Sequence, residues 1–354
     1  MARLQSGFWS GGTSDKEVLH MAKKGKALLM VGLAALVMGA GAAGFAGQAL
    51  RPMPSGPTKY VRFETAASHA LIFHDLEQQG VVRDGRAARV YARLKGAPQP
   101  IAPGTYRVAP GMTVDEIIVA LRKPVQRMVR IPEGHWISRV AERLEKEGVC
   151  GAAEYIALAN QPELFEGMVD FPLPKDSLEG YLYPDTYDLP PLISAKDVVA
   201  RQLKAFERKA WPMLKDAKDP HRVLTIASMV ELEAALDKER PIIAGVIENR
   251  IKKGMTLDID ATVLYAEGKW RVLGPGQVRK VKSPYNTYLN RGLPPGPIGS
   301  PSAASIKGAM NPASHPWLFY VARPDRSHTF TSTYAEHKAA IVRNRAEFKK
   351  QEAE

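Results

Sequence analysis

The sequence predicts an α+β protein carried on a single N-terminal transmembrane helix, with a small α+β module ahead of a larger α+β domain. Three observations predict it. An uncharged run of 24 residues, 27–50, stands near the N-terminus, and about 20 apolar residues suffice to cross a bilayer as a helix. Behind it, apolar residues at helical spacing alternate with short strand-like stretches. Proline-rich stretches at 51–58 and 283–302 forbid regular structure where they fall.

Three lysines, Lys23, Lys24 and Lys26, precede the apolar run, with Arg3 and Lys16 further upstream and Arg51 directly after it. That flank favours a cytoplasmic N-terminus and an extracytoplasmic remainder. The alternative is a cleaved signal peptide, because residues 39–47 are rich in small side chains. Met21 also reads as a possible start. Gly39, Gly41 and Gly44 spell G-x-G-x-x-G, but no strand precedes them, so a dinucleotide site is set aside in favour of helix–helix contact. The expected divisions are a cytoplasmic segment 1–26, an anchor 27–50, a tether 51–58, a module 59–124, a main domain 125–340 and a basic tail 341–354.

In the module, Ala70, Leu71, Phe73, His74 and Leu76 suggest a short helix ending at Gly80, and residues 90–94 a second one. Residues 101–108, IAPGTYRV, read as a strand around a turn at Pro103 and Gly104. Thr113 and Glu116 form a capping box for a further helix. In the main domain, Ile137, Val140, Ala141 and Leu144 lie on one helical face that Gly148 terminates. Asp185, Pro190 and Pro191 mark a loop, and Ser194 with Asp197 caps a helix ending near Pro212. Two helices follow, over 223–236 and 240–253. Residues 318–322 and 328–332 read as paired strands across RPDR, and a basic helix closes the chain.

Over 223–231, VLTIASMVE, an apolar helix carries one glutamate, Glu231. Residues three and four away from Glu231 are Ala227, Ser228, Ala234 and Ala235, which predicts open room above the carboxylate. Desolvation there would favour the neutral acid, as a general acid needs. The bland alternative is a solvated position, or an ion pair with Lys238 or Arg250. H-E-x-x-H, G-x-S-x-G and P-loop patterns are absent. Cys150 is the sole cysteine, which excludes an internal disulfide or a cysteine-based zinc cluster, and it reads as a packed side chain.

Several stretches together resemble the MltG/YceG-like endolytic murein transglycosylases. They are IPEG at 131–134, SLEGYLYPDTY at 177–187, ASMVELE at 227–233 and ERPIIAGVIENRIKKGM at 239–255. DATVLYAEG at 260–268, SPYNTYLNRGLPPGPIGSPS at 283–302 and HTFTSTYAEH at 328–337 complete the set. The resemblance implies a YceG-like catalytic domain, with residues 59–124 as a LysM-like module. It places the catalytic glutamate of the family's ASIVEKE motif at Glu231, with Leu232 standing where lysine is usual. LDIDAT at 257–262 departs from the family's LQSDPT and keeps Asp260 and Thr262.

The activity implied is non-hydrolytic cleavage of the MurNAc–GlcNAc β-1,4 bond, leaving 1,6-anhydro ends and limiting strand elongation. Candidate sugar contacts around Glu231 are Glu179, Tyr181, Asp185, Tyr187, Asn249, Asp260, Tyr285, Asn286, Thr287 and His328. For Asn286 and Thr287 turn formation is the alternative, for Asp185 a loop cap, and for Asn249 helix-end bonding. The proline-rich stretch 292–301 is expected to wall a groove. No metal or cofactor is implied. Expected partners are peptidoglycan glycan strands, the cytoplasmic membrane through one helix, and peptidoglycan synthases or division and elongation proteins. A catalytically silent glycan-binding scaffold is a second reading.

The formal charge of +12 first suggests nucleic acid. Residues 1–50 hold five Lys/Arg and two Asp/Glu, and the remainder 44 and 35, so most of the excess lies beyond the anchor. With no helix-turn-helix, zinc or aromatic-basic motif, the excess suits a cell wall and lipid surface better than nucleic acid.

Overall fold

A computed structural model describes residues 29–31, 33, 36–39, 44–274 and 276–353. The expected cytoplasmic segment 1–26, with its lysine flank and Met21, lies outside the described residues. Helix α1, Leu29–Ala49, is 21 residues long and, by length and composition, apolar enough to cross a membrane. Its described large side chains are exposed, including Leu36 and Phe45. The chain divides into two compact units at Pro124 and Val125, the first of which includes α1.

The first unit carries β1 (Lys59–Phe63), α2 (His69–Gln78), α3 (Gly85–Leu94), β2 (Gly104–Val108) and α4 (Val114–Ala120). β1 and β2 pair antiparallel, with Val61 opposite Tyr106. Val61, Phe63, Ile72, Phe73, Leu76, Tyr106, Val108 and Ile117 form the core. Ser68 caps α2 through Leu71 N and Asp84 caps α3 through Ala87 N at 2.8 Å. The Thr113–Glu116 capping box starts α4 as expected, with both reciprocal hydrogen bonds made. Gly85 is required where it stands, since a Cβ would lie 2.4 Å from the Phe73 carbonyl oxygen. This close approach brings α3 onto α2.

Two differences from expectation have local causes. The strand starts at Gly104 rather than 101, because Pro103 has no N–H to donate and Ile101 instead bridges Ala67 alone. Helix α3 begins five residues before 90, since the Asp84 cap starts it on Gly85 and small alanines that carry no strong apolar signal.

The second unit opens with β3 (Met128–Ile131), α5 (Ile137–Lys146), α6 (Ala152–Ala159), β4 (Asp185–Asp188), α7 (Ala195–Lys209) and α8 (Trp211–Leu214). It continues with α9 (Pro220–Glu233), α10 (Arg240–Lys252), α11 (Asp260–Glu267), α12 (Ala303–Met310), β5 (Phe319–Ala322), β6 (His328–Thr331) and α13 (Tyr334–Ala353). β3 pairs antiparallel with β4, and β5 with β6, so among the described residues the strands occur only as two-stranded pairs between helices. Helix α9 lies at the centre, packed by α10, α11 and α12, with Leu224, Ile226, Ala227, Met229 and Val230 buried.

Asp185 is a strand residue rather than a loop cap. It stands opposite Ile131, and the same pairing places Tyr187 opposite Val129, where both side chains are buried. The prolines at 190 and 191 only end that strand. Helix α9 starts at Pro220, behind the Asp219 cap, and leaves helical geometry at Ala234, so it lies three residues earlier than expected. Helix α13 runs through position 340 without a break. Asn344 is buried and donates to the Ala322 carbonyl at 3.0 Å, which ties the helix to β5 past position 340.

Candidate active site around Glu231

Glu231 occupies the last turn of α9 with 9% of its side chain exposed. Three donors meet one of its oxygens. The Ser302 backbone N–H donates to Oε2 at 2.8 Å, Ser302 Oγ donates to the same atom, and Arg240 Nη1 lies 3.2 Å away. Ser302 is also the N-cap of α12, accepting from Ser305 N, so the carboxylate faces a helix N-terminus. Arg240 is anchored in turn by Asp237 at 2.9 Å and by Ser305 Oγ. All three donors converge on Oε2, and among the described residues no hydrogen bond is made to Oε1.

Three separated motifs meet here. Gly134 of IPEG stands over the last turn of α9 at φ +70, and a Cβ on it would lie 2.9 Å from Leu232 Cδ2 and 3.7 Å from Glu231 Cγ. Gly134 N donates to Ser300 O at 2.8 Å, and Ser300 N donates to His135 O at 3.0 Å. The proline-rich loop then runs along α9. His221 Nε2 lies 3.3 Å from Pro295 O, Ile298 N donates to Ser228 Oγ at 3.0 Å, and Ser302 reaches Glu231.

That loop corrects the expectation of open room above Glu231. Ala227 and Ser228 are 0% and 1% exposed, because the loop and α12 pack on them. The break at Ala234 also removes Ala234 and Ala235 from the helical stripe. Neither Lys238 nor Arg250 pairs with Glu231. Arg250 instead donates to the carbonyls of Leu318 and Leu257 and pairs with Asp258.

Glu179, Tyr181 and Tyr285 do come together, but not at Glu231. With His221, Trp211 and Pro297 they line a cavity of about 460 Å³ at the other end of α9. The ten residues from His221 to Glu231 put the two places about 15 Å apart along the helix. Glu179 is buried and accepts from Ile137 N at 3.0 Å, at the start of α5. Burial pushes its carboxyl up to about 8. Its Oε1 is buried without a hydrogen-bond partner.

Asp260 and His328 gather around a second carboxylate, Glu233. Tyr320 donates to Glu233 Oε2 at 3.0 Å, and desolvation holds that carboxyl above the usual range, with the Asp260 charge adding to the effect. Tyr288 donates to Asp260 at 2.6 Å. His328 Nδ1 lies 2.7 Å from Glu239 Oε2, and Glu239 immediately precedes Arg240.

Of the other candidates, Tyr187, Asn286, Thr287 and Asn249 are held by hydrogen bonds within the domain, whereas Asp185 stays partly exposed. Tyr187 donates to Tyr183 O at 2.5 Å, and Tyr181 stands 3.1 Å from His221 Nδ1. Asn286 is fully buried, donating to Val278 O and Val281 O and accepting from Tyr288 N. Thr287 is buried against Thr262 and accepts from Ile259 N. Asn249 clamps the carbonyls of His315 and Trp317, and Asp185 pairs with Lys209. The polar atoms of Tyr187, Asn286, Thr287 and Asn249 tie loops and turns together, so these four shape the domain from within.

Arg240, Ser302 and Gly134 carry the geometry at Glu231 and were not singled out by sequence. Helical spacing from Glu231 ends at Ala234, and Ser302 is 71 residues away.

Comparison with known proteins bears on most of the chain. Residues 61–343 match the model of the YceG-like family. An endolytic murein transglycosylase of Bacillus subtilis (strain 168) is 31% identical over 306 residues, covering 81% of this chain and 84% of that protein. An endolytic murein transglycosylase of Streptococcus pneumoniae serotype 2 is 29% identical over 337 residues, covering 84% of this chain and 60% of that longer protein. The 2.6 Å crystal structure of a putative yceG-like protein from Listeria monocytogenes superposes with a TM-score of 0.54 at 29% identity, covering 80% of this chain and 98% of that one. With the family match spanning both units, the chain belongs to the YceG-like family.

Proposed function

We propose that this chain is an endolytic lytic transglycosylase of peptidoglycan, with Glu231 as its acid and base. The observation that carries the reading is the one-sided seating of Glu231. Ser302 and Arg240 hold Oε2, and Oε1 remains for the glycosidic oxygen and then for a hydroxyl proton. The activity named for the Bacillus subtilis and Streptococcus pneumoniae relatives supports it.

The reaction needs only one carboxyl group. Glu231 gives its proton to the oxygen between MurNAc C1 and GlcNAc C4, and that bond breaks. The resulting carboxylate takes the proton of the MurNAc C6 hydroxyl as its oxygen bonds to C1. The products are a 1,6-anhydroMurNAc end and a free GlcNAc 4-hydroxyl, with no water consumed. A hydrolase needs a second carboxylate to activate water or to attack. Here the nucleophile belongs to the substrate and gains from proximity. Cutting within strands as they form would limit their elongation.

The cavity at Glu179, Tyr181 and Tyr285 suits a sugar bound at a distance from the cut, with tyrosine faces for stacking. The first unit's β1–α2–α3–β2 order supports a LysM-like reading, and its place directly after α1 suits a module that holds glycan near a membrane. The lysines before the apolar run support a catalytic unit on the extracytoplasmic side of the cytoplasmic membrane. Peptidoglycan synthases and division or elongation proteins are the partners that such a placement suits.

A second assignment, Glu233 as the proton donor, is favoured by its desolvated carboxyl. Digestion of purified sacculi with mass spectrometry of the products separates the two. Glu231→Gln is expected to abolish anhydro-ended products and Glu233→Gln to retain them. The reverse pattern assigns Glu233. Reducing ends in place of anhydro ends overturn the transglycosylase reading, and sacculus binding without any product from the wild type supports the scaffold.

A further inference from the structure

Helix α3 has three faces, of which the core uses one. Gly85, Ala88 and Ala92 are buried against the unit's core. Arg86, Arg89 and Arg93, spaced i, i+3, i+7, form an exposed basic stripe. One residue further round, Ala87, Val90 and Leu94 form an apolar stripe at the same spacing, with Val90 54% and Leu94 81% exposed. A residue step turns a helix by about 100°, so the two stripes lie side by side. An unpartnered apolar stripe beside a basic one is the pattern of a helix that lies in a membrane surface.

The first unit itself relates this stripe to α1. Val90, Tyr91 and Leu94 share a groove of about 520 Å³ with Phe45, Ala46 and Leu50. Leu50 packs against the unit's core, and Ala49 is buried. Phe45 lies four residues inside the end of the apolar helix, or about 6 Å along its axis. Interfacial helices seat their apolar face about 5–10 Å into the headgroup and acyl boundary, which is the same depth. If α1 spans, α3 lies at the level of the boundary.

We propose that α3 lies in the outer surface of the bilayer that holds α1, with Val90 and Leu94 in the acyl boundary and Arg86, Arg89 and Arg93 on anionic lipid phosphates. The proposal rests on the membrane-anchor reading above. Charge complementarity selects the occupant, because the arginine stripe faces phosphate while the apolar stripe needs hydrocarbon, and a bilayer offers both in that order. The consequence is orientation: two attachments, one spanning and one lying flat, remove the freedom of the first unit to swing about its tether.

The test uses the full chain in proteoliposomes of phosphatidylcholine and phosphatidylglycerol. Cys150, half-buried with its thiol pushed up to about 11, is replaced by serine, and spin labels are placed singly by Phe45→Cys, Leu94→Cys and Val272→Cys. Collision with oxygen reports lipid, and collision with a water-soluble nickel chelate reports solvent. Labels at Phe45 and Leu94 are expected to report lipid, and the label at Val272, 93% exposed in a loop, to report water. An aqueous label at Leu94 overturns the proposal, whereas an aqueous label at Phe45 overturns the anchor reading. Replacing Arg86, Arg89 and Arg93 by glutamine is expected to reduce lipid contact at Leu94 and leave Phe45 unchanged. No loss of contact would remove the anionic lipid from the proposal.

Discussion

Arg240 Nη1 stands 3.2 Å from Oε2 of Glu231, with only 12% and 9% of the two side chains exposed. The arginine is itself fixed from two sides, by Asp237 and by Ser305. Arg240→Gln removes the cation and leaves the carboxylate to Ser302 alone. A hydrogen bond to a charged group is worth about 1.5–3 kcal/mol, so turnover on sacculi is expected to fall by about 10- to 100-fold. Arg240→Lys restores part of the turnover, and a loss of kcat that is matched by an equal loss of thermal stability would mean that the arginine only supports the fold.

Ser302 has two tasks, donating to Glu231 and capping α12. Ser302→Ala keeps the backbone N–H donor and loses both side-chain interactions. Loss of an N-cap costs about 1 kcal/mol. That corresponds to a drop of about 2–4 °C in Tm for a domain of this size. Differential scanning calorimetry beside product analysis checks whether activity falls further than stability.

Gly134 has no room for a side chain and holds a left-handed conformation. Gly134→Ala incurs about 1–2 kcal/mol of backbone strain before any clash. A Cβ 2.9 Å from Leu232 would push on the turn that carries Glu231. Activity is expected to fall by more than tenfold while substrate binding, measured by sacculus sedimentation, is retained. Loss of binding alone would place IPEG at the substrate rather than behind the acid.

Glu179 makes stability depend on pH in a definite direction. Its native carboxyl titrates near 8, and the ordinary value is 4.5. Below 4.5 both native and unfolded forms are protonated and its contribution is fully present. Between 4.5 and 8 the unfolded chain releases the proton and the native chain keeps it, so stability falls as pH rises. Glu179→Gln keeps an acceptor for Ile137 N without titrating. The Tm of the variant relative to wild type is therefore expected to rise by several degrees from pH 4.5 to pH 8, followed by thermal scans in matched buffers.

Much of this protein was legible in its residues. Thr113 with Glu116 announced the start of α4, and the spacing of Ile137, Val140, Ala141 and Leu144 announced α5, since caps and periodicity are local signals. Motif order led to the family. β1, β3, α6, α11 and α12 leave little mark in the sequence, being short elements of four to eight residues whose patterns are weak alone. The prolines at 190 and 191 mark Asp185 as a loop residue, whereas its pairing with Ile131 is revealed only by the partner strand.

The site divides in the same way. By itself the sequence determined that Glu231 stands in an apolar helix, because the helical period relates residues three and four apart and no further. Only the tertiary structure decided what that acid touches. Arg240 lies past a helix break, Ser302 at the far end of a proline-rich loop, and Gly134 nearly a hundred residues upstream. It also turned Asn286 and Thr287 inward and moved Glu179, Tyr181 and Tyr285 to the opposite end of α9. Packing sets these distances, through burial and hydrogen-bond satisfaction among segments that no local pattern relates.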